Sequence, residues 1–210
     1  MRLAVFGAAG RTGHEVVRLA VEAGHEVTAV ARSRTTAGSW PAAVTTVEAD
    51  VHDLAAVKGA IAGADAVVSA LGGKPRQPTT VYSAGAAHMA EALRATGRTR
   101  MICLSAGALD LGPHVPFGQR VVTRAIVAAF FRHGYADMAR MEADLEATRD
   151  LDWTVVRVPG LTDKPATGRF RAAEPPLQRP STIARADLAA YLLSIVEDPA
   201  THRRVLEVSY

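Results

Sequence analysis

The chain has 210 residues, 49% hydrophobic and 5% aromatic, and its 24 Lys+Arg against 21 Asp+Glu leave a net charge of +3. That length suits a single domain with one good core, and the basic residues are too scattered and the aromatics too few for a nucleic-acid platform. One cysteine, Cys103, excludes an internal disulfide and fits a reducing compartment, and no apolar run approaches the roughly 18 residues of a membrane span, so a soluble cytoplasmic protein with no membrane partner is expected.

Leu3-Ala4-Val5-Phe6 reads as a buried strand that runs straight into Gly7-Ala8-Ala9-Gly10-Arg11-Thr12-Gly13, and a helical pattern then opens at His14. Glycines at this spacing, between a strand and a helix, serve a dinucleotide. The first permits the tight turn, the second lets backbone approach a diphosphate, and the third lets the helix pack on the strand. The helix N-terminus then presents free N–H groups to the anion. Val16, Val17, Leu19 and Ala20 keep helical spacing up to a stop at Gly24.

The second strand spans residues 26–31, and the position about 20 residues past the glycines decides between the two nicotinamide cofactors. A carboxylate there binds a ribose 2′-hydroxyl; here stand Arg32, Ser33 and Arg34. Guanidinium groups grip a 2′-phosphate, so NADP is favoured over NAD, with Arg11 able to reach the same phosphate. The alternative is that these arginines are ordinary surface charges. Residues 44–49 alternate as a third strand ending at Asp50 and Val51, which either meet the adenine or form a simple turn. Asp53 caps a helix over residues 53–61.

Two further runs, Ala66 to Leu71 closed by Gly72 and Gly73, and Arg100 to Ser105, are continuous in the manner of fully buried parallel strands, with a helix over residues 80–96 between them. Alternating strands and helices predict a doubly wound α/β sheet with helices on both faces, and ligands bind at the carboxyl ends of its strands. Ala70, Leu71 and Gly72 are therefore expected against the cofactor, and Ser105 is placed either to hydrogen-bond a carboxamide or substrate oxygen or merely to end its strand.

A long helical region over residues 118–148 carries Val121, Val122, Ile126, Val127, Phe130 and Phe131, expected in the core, with Gly134 its predicted break. Trp153 to Val158 is another buried strand, and Pro159 follows it where the nicotinamide face would rest. Substrate-side loops are expected at residues 107–118 and 159–182. The second contains a short strand-like segment at residues 168–171 and has the length of many binding lids. A helix over residues 186–198 and a strand over residues 204–208 close the chain.

The proton relay of short-chain dehydrogenases, a Tyr with a Lys four residues later, is missing, because Tyr82, Tyr135 and Tyr191 are followed at that distance by Ala86, Ala139 and Ile195. The seven histidines show no metal-ligand spacing, so no metal is expected. His114, in the loop nearest the nicotinamide end, is either a proton donor or a bystander.

Gly7 to Gly13, Leu104-Ser105-Ala106, Asp152 to Arg157 and Asp187-Leu188-Ala189 together resemble the atypical short-chain dehydrogenase/reductases, nearest to biliverdin-IXβ reductase, which is also a flavin reductase, and to the NmrA-like NAD(P)H-binding proteins. The resemblance implies NADPH held by Gly7, Gly10, Arg11, Thr12, Gly13, Arg32 and Ser33, and Ala9 of the same turn is expected beside the cofactor. It further implies hydride delivery to a small planar acceptor such as a flavin, quinone or tetrapyrrole, by a monomer or weak homodimer. The other reading it leaves open is a non-catalytic NADP-binding redox sensor.

Overall fold

Among the residues described by the computed structural model, 1–33, 40–109 and 115–210, the apolar runs become strands β1 (Arg2–Phe6), β2 (Glu26–Ala31), β3 (Val44–Glu48), β4 (Ala66–Ser69), β5 (Arg100–Ala106), β6 (Asp152–Val158) and β10 (Arg204–Ser209). Short strands β7 (Leu161–Thr162), β8 (Arg171–Ala173) and β9 (Ile183–Ala184) lie between β6 and β10. The helices are α1 (Arg11–Glu22), α2 (Leu54–Ile61), α3 (Val81–Ala95), α4 (Phe117–Ile126), α5 (Arg132–Glu146) and α6 (Arg185–Ser194).

An eight-stranded sheet runs in the order β3-β2-β1-β4-β5-β6-β10-β8, parallel throughout except for β8, which pairs antiparallel with β10. Successive residues of each strand feed opposite faces. Leu3, Val5 and Ile102 pack with Val16, Val17, Leu188 and Leu192 under α1 and α6. Ala4, Phe6, Met101 and Cys103 pack with Ile61, Met89, Leu93 and Met141 under α2, α3 and α5. Burial pushes the Cys103 thiol up to about 12, so it is a core residue and not a nucleophile. The strand order reverses direction at β1, between β2 and β4, which is where a doubly wound sheet opens a crevice. The expected fold class is the one observed.

Arg100, buried on β5, holds the far end of this sheet together. Its guanidinium donates to the Val196 carbonyl at 2.8 Å, the Ile195 carbonyl at 2.6 Å, the Asp152 carbonyl at 2.9 Å and the hydroxyls of Thr154 and Thr201. Carbonyls orphaned at the end of α6 thus gain a donor. Burial drives the Arg100 pKa down to about 10, although Asp152 and Asp198 act the other way.

Several expectations need correction. The region expected as one helix broken at Gly134 is α4, a π-helical turn at Val127–Phe131, and α5, so the irregularity precedes Gly134, which sits inside α5. Val121, Val122, Ile126, Phe130 and Phe131 do not enter the core: they are 50%, 58%, 48%, 41% and 42% exposed, and Val127 is half-buried. Periodicity reports that a helix has two faces, not which one is packed. The strand-like segment at residues 168–171 makes no ladder before Arg171, because Asp187 accepts from the backbone of Thr167 and Gly168 at 2.8 and 2.9 Å and takes the place of a neighbouring strand. Helix α1 starts at Arg11 rather than His14, and α6 ends at Ser194, with Asp198 capping a separate turn at Pro199–Thr201.

At the amino end of the sheet, Asp65 accepts from the Arg2 guanidinium at 3.0 Å and the Arg2 backbone N–H at 2.9 Å, and the Arg2 pairing holds its carboxyl at about 2 against an ordinary 3.8. A carboxylate whose folded pKa is lowered stabilises the native state above its unfolded value and loses that contribution as pH falls. Urea unfolding of Asp65→Asn beside the parent chain should therefore show a deficit above pH 3.8 that closes as pH falls toward about 2. A deficit constant with pH would mean that the ionised carboxylate is not what stabilises.

Candidate nucleotide cleft

The glycine turn is shaped by its neighbours. Gly7 has φ +76°, a left-handed conformation that favours glycine, and a Cβ there would lie 2.7 Å from the Ala70 carbonyl carbon. A Cβ at Gly13 would stand 2.7 Å from the carbonyl carbon of Gly7 and 2.9 Å from Ala8 Cα, so the first turn of α1 presses directly on the β1 turn. Gly10, whose N–H donates to the Gly7 carbonyl at 2.9 Å, caps α1 without a side-chain hydrogen bond. The leading N–H groups of α1 thus keep their donors for an anion.

This turn opens into a cleft of about 920 Å³ across the carboxyl ends of β1, β2, β4, β5 and β6. Gly7, Ala9, Gly10, Arg11, Thr12, Arg32, Val51, Ala70, Leu71, Gly72, Ser105 and Pro159, all expected around the cofactor, line it. Three others do not. Gly13 lies beneath the turn and Ser33 is half-buried at the end of β2, while Asp50 accepts from the His52 backbone and ring, which hold its carboxyl below the usual range with a smaller contribution from Arg32. The turn-acid alternative describes Asp50 better than adenine recognition. Arg34 and His114 lie outside the described residues.

At the other end of the cleft the wall becomes aromatic, with Tyr82 from α3, Phe131, and Tyr135 and Met138 from α5. The Tyr82 hydroxyl accepts from the Gly73 N–H at 2.8 Å, and burial raises both phenols, with Tyr82 adding to the rise at Tyr135. They are neutral donors at working pH. Neither is among the site residues expected from the sequence, since Ala86 and Ala139 stand where a partner lysine would be. Position was the better signal, since Tyr135 lies in the first turn of the helix that leads into β6.

Ser105 Oγ is buried on the cleft wall without a hydrogen-bond partner. A buried hydroxyl left unpaired is costly, and a ligand amide or carbonyl would satisfy it. The Cβ-free turn, the uncapped helix start and this orphaned hydroxyl together fit a dinucleotide lying from the glycines to Ser105. Among the described residues no cluster of His, Cys, Asp or Glu is arranged to hold a metal.

Arg11 and Arg185 meet the same carboxylate: Asp163 accepts from Arg11 and from Arg185, each at 2.5 Å, at the cleft rim. Arg11, expected to face a 2′-phosphate, is therefore engaged elsewhere. The Arg11 pair is exposed, so it is weak and exchangeable. Asp163→Asn should tighten NADPH by about two- to fivefold in a fluorescence titration, the range of one weak surface pair. No change would mean that Arg11 does not turn to the nucleotide.

A doubly wound sheet with a glycine turn and an open cleft at its switch point defines a dinucleotide-binding protein of Rossmann type. The chain belongs to the NAD(P)H-binding family, which matches over residues 7–199. It is 28% identical to the protein YwnB of Bacillus subtilis, over 95% of this chain and 93% of that one. It is 35% identical over 107 residues to a protein of Mycobacterium tuberculosis, and there the match covers 51% of this chain and 12% of the much longer relative. Among solved structures it resembles a protein of Burkholderia pseudomallei (TM-score 0.77, 26% identity, all of both chains). It also shares its fold with a short-chain dehydrogenase/reductase of Veillonella parvula in complex with NADP (TM-score 0.83, 16% identity, 100% and 94% covered).

Proposed function

We propose that the protein is an NADPH-dependent oxidoreductase that reduces a planar acceptor such as a flavin, a quinone or a tetrapyrrole. The observation that carries this reading is the orphaned Ser105 hydroxyl at the aromatic end of a cleft whose opposite end is a glycine turn. Gly7, Ala9, Gly10 and Thr12 would hold the diphosphate against the start of α1, and Arg32, with Arg34 following it in sequence and Arg11 once freed from Asp163, would hold a 2′-phosphate. Bound NADPH supplies a hydride. The chain's own contribution is position and dryness: Ser105 and Pro159 fix one face of the site, while Tyr82, Phe131, Tyr135 and Met138 give a flat apolar acceptor a wall to lie against. Two neutral phenols donate hydrogen bonds to an acceptor oxygen or nitrogen, and such acceptors take their proton from solvent, so no lysine is required. This reading keeps the likeness to biliverdin-IXβ and flavin reductases and fits a cytoplasmic monomer or weak homodimer.

One observation favours a second reading. Ala139 stands where a lysine would lower the Tyr135 pKa, and burial raises it instead. A site without that activation also suits a protein that binds NADP and signals its redox state without turnover. Purified protein with NADPH and a panel of FMN, riboflavin, menadione and biliverdin, followed by nicotinamide absorbance, separates the two. Oxidation with at least one acceptor supports the reductase; tight NADPH binding with none oxidised overturns it in favour of the sensor.

A further inference from the structure

Helix α4 is packed the wrong way round for a soluble protein. Among its described side chains the half-buried positions are Arg120, Thr123 and, just past its end, Val127, which share one stripe at helical spacing. Its solvent side carries Phe117, 74% exposed, with Val121, Val122 and Ile126, and the π-helical turn adds Phe130 and Phe131. Six large apolar side chains on one continuous stretch exceed the scattered exposure that soluble surfaces tolerate and mark an interaction face.

Charge identifies what covers it. Residues 115–136 contain Arg120, Arg124 and Arg132 and no Asp or Glu. Arg76 adds a fourth guanidinium, stacked 4.3 Å over the Phe130 ring and tied to it by an N–H donated to the Phe130 carbonyl at 3.0 Å. A second copy of this chain would bring the same arginines against one another, since a two-fold contact opposes each patch to itself. An apolar helix face rimmed by arginines is the make-up of helices that lie in the plane of an anionic bilayer surface. No helix among the described residues is long and apolar enough to cross a membrane, so the contact is peripheral. The sequence expectation of no membrane partner concerned spanning runs, and this contact needs none.

We propose that α4 and the π-helical turn after it dock the protein on an anionic lipid surface, with Phe117, Val121, Val122, Ile126 and Phe130 entering the headgroup boundary and the exposed Arg76, Arg124 and Arg132 meeting lipid phosphates. Phe131 belongs to this face and to the cleft wall, so the docked cleft opens toward the lipid. The proposal does not depend on turnover.

The test is co-sedimentation of the full chain with vesicles of phosphatidylglycerol and phosphatidylcholine in equal parts, beside vesicles of phosphatidylcholine alone. Binding is expected to the first, to fall as salt rises, and to be about tenfold or more weaker for Val121→Ser/Ile126→Ser, which loses two apolar anchors, and about fivefold weaker for Arg124→Gln, which loses one surface charge. These side chains are exposed and outside the cleft, so retained NADPH binding and an unchanged melting temperature show that the variants fold. Protein left in the supernatant with the anionic vesicles overturns the proposal, and sedimentation velocity then shows whether the face joins two copies or awaits an acidic partner chain. Binding undiminished in both variants overturns it equally.

Discussion

Arg32→Asp weakens NADPH binding by about 100-fold, roughly 3 kcal/mol, while NADH changes only a few-fold. Arg32 stands at the cleft end of β2, exposed and near enough to Asp50 to help hold that carboxyl ionised. On the proposed binding mode the substitution would remove a guanidinium fork from a 2′-phosphate and set a like charge in its place, whereas the ribose 2′-hydroxyl of NADH would gain an acceptor. Calorimetric titration with both nucleotides reads the difference directly. Equal losses for the two would show that Arg32 does not touch the 2′-position and would leave Arg11 and Arg34 as the remaining candidates. Because Arg32 is exposed and makes no core contact, its replacement leaves the melting temperature within a degree or two, about the scale of a surface substitution.

Gly13→Ala acts on stability and ligand together. It lowers stability by about 3 kcal/mol, a melting shift of roughly 6–12 °C for a chain of this size, and abolishes measurable nucleotide binding. The new methyl has nowhere to go: it meets backbone atoms of Gly7 and Ala8, and neither can rotate aside as a side chain would. Gly10→Ala is the informative companion, since its Cβ would meet only the Gly7 carbonyl, at 3.2 Å. That variant should melt close to the parent and still bind nucleotide poorly, because Gly10 lines the cleft where the diphosphate is proposed to lie. If Gly13→Ala melted like the parent, α1 would not press on the turn as closely as described. If Gly10→Ala bound NADPH normally, the diphosphate would lie elsewhere.

The glycine turn and the sheet were legible in the sequence because their signals are local. A buried strand, a tight turn and a helix start are each written in fewer than ten residues, and twelve of the expected cofactor positions reach the same cleft. What was not legible depends on partners distant in the chain. Tyr135 reaches the cleft because α5 packs beside α3, and Arg11 meets Asp163 across 152 positions of chain. The orientation of α4 was missed for a different reason: an amphipathic pattern is the same whether its apolar face meets a core or something outside the molecule. In sequence Arg100 is one more residue of a strand, and only the fold makes it the buried donor for two carbonyls beyond α6.

The segment between β7 and β9 has the length of a flap, yet three separate ties hold it. Asp187 accepts from Thr167, Gly168 and the Tyr210 hydroxyl, Glu207 accepts from the Leu177 N–H at 2.7 Å, and β8 is laddered to β10. Each tie ends on α6, on β10 or on the residue that follows it, so the segment cannot lift without opening the sheet edge. Its amides should therefore exchange with deuterium as one cooperative unit with β10, and Thr167, Gly168 and Leu177 should show protection close to that of Val208 rather than the rapid exchange of a surface excursion. This side of the molecule should therefore behave as a wall that keeps its shape as nucleotide enters and leaves the cleft.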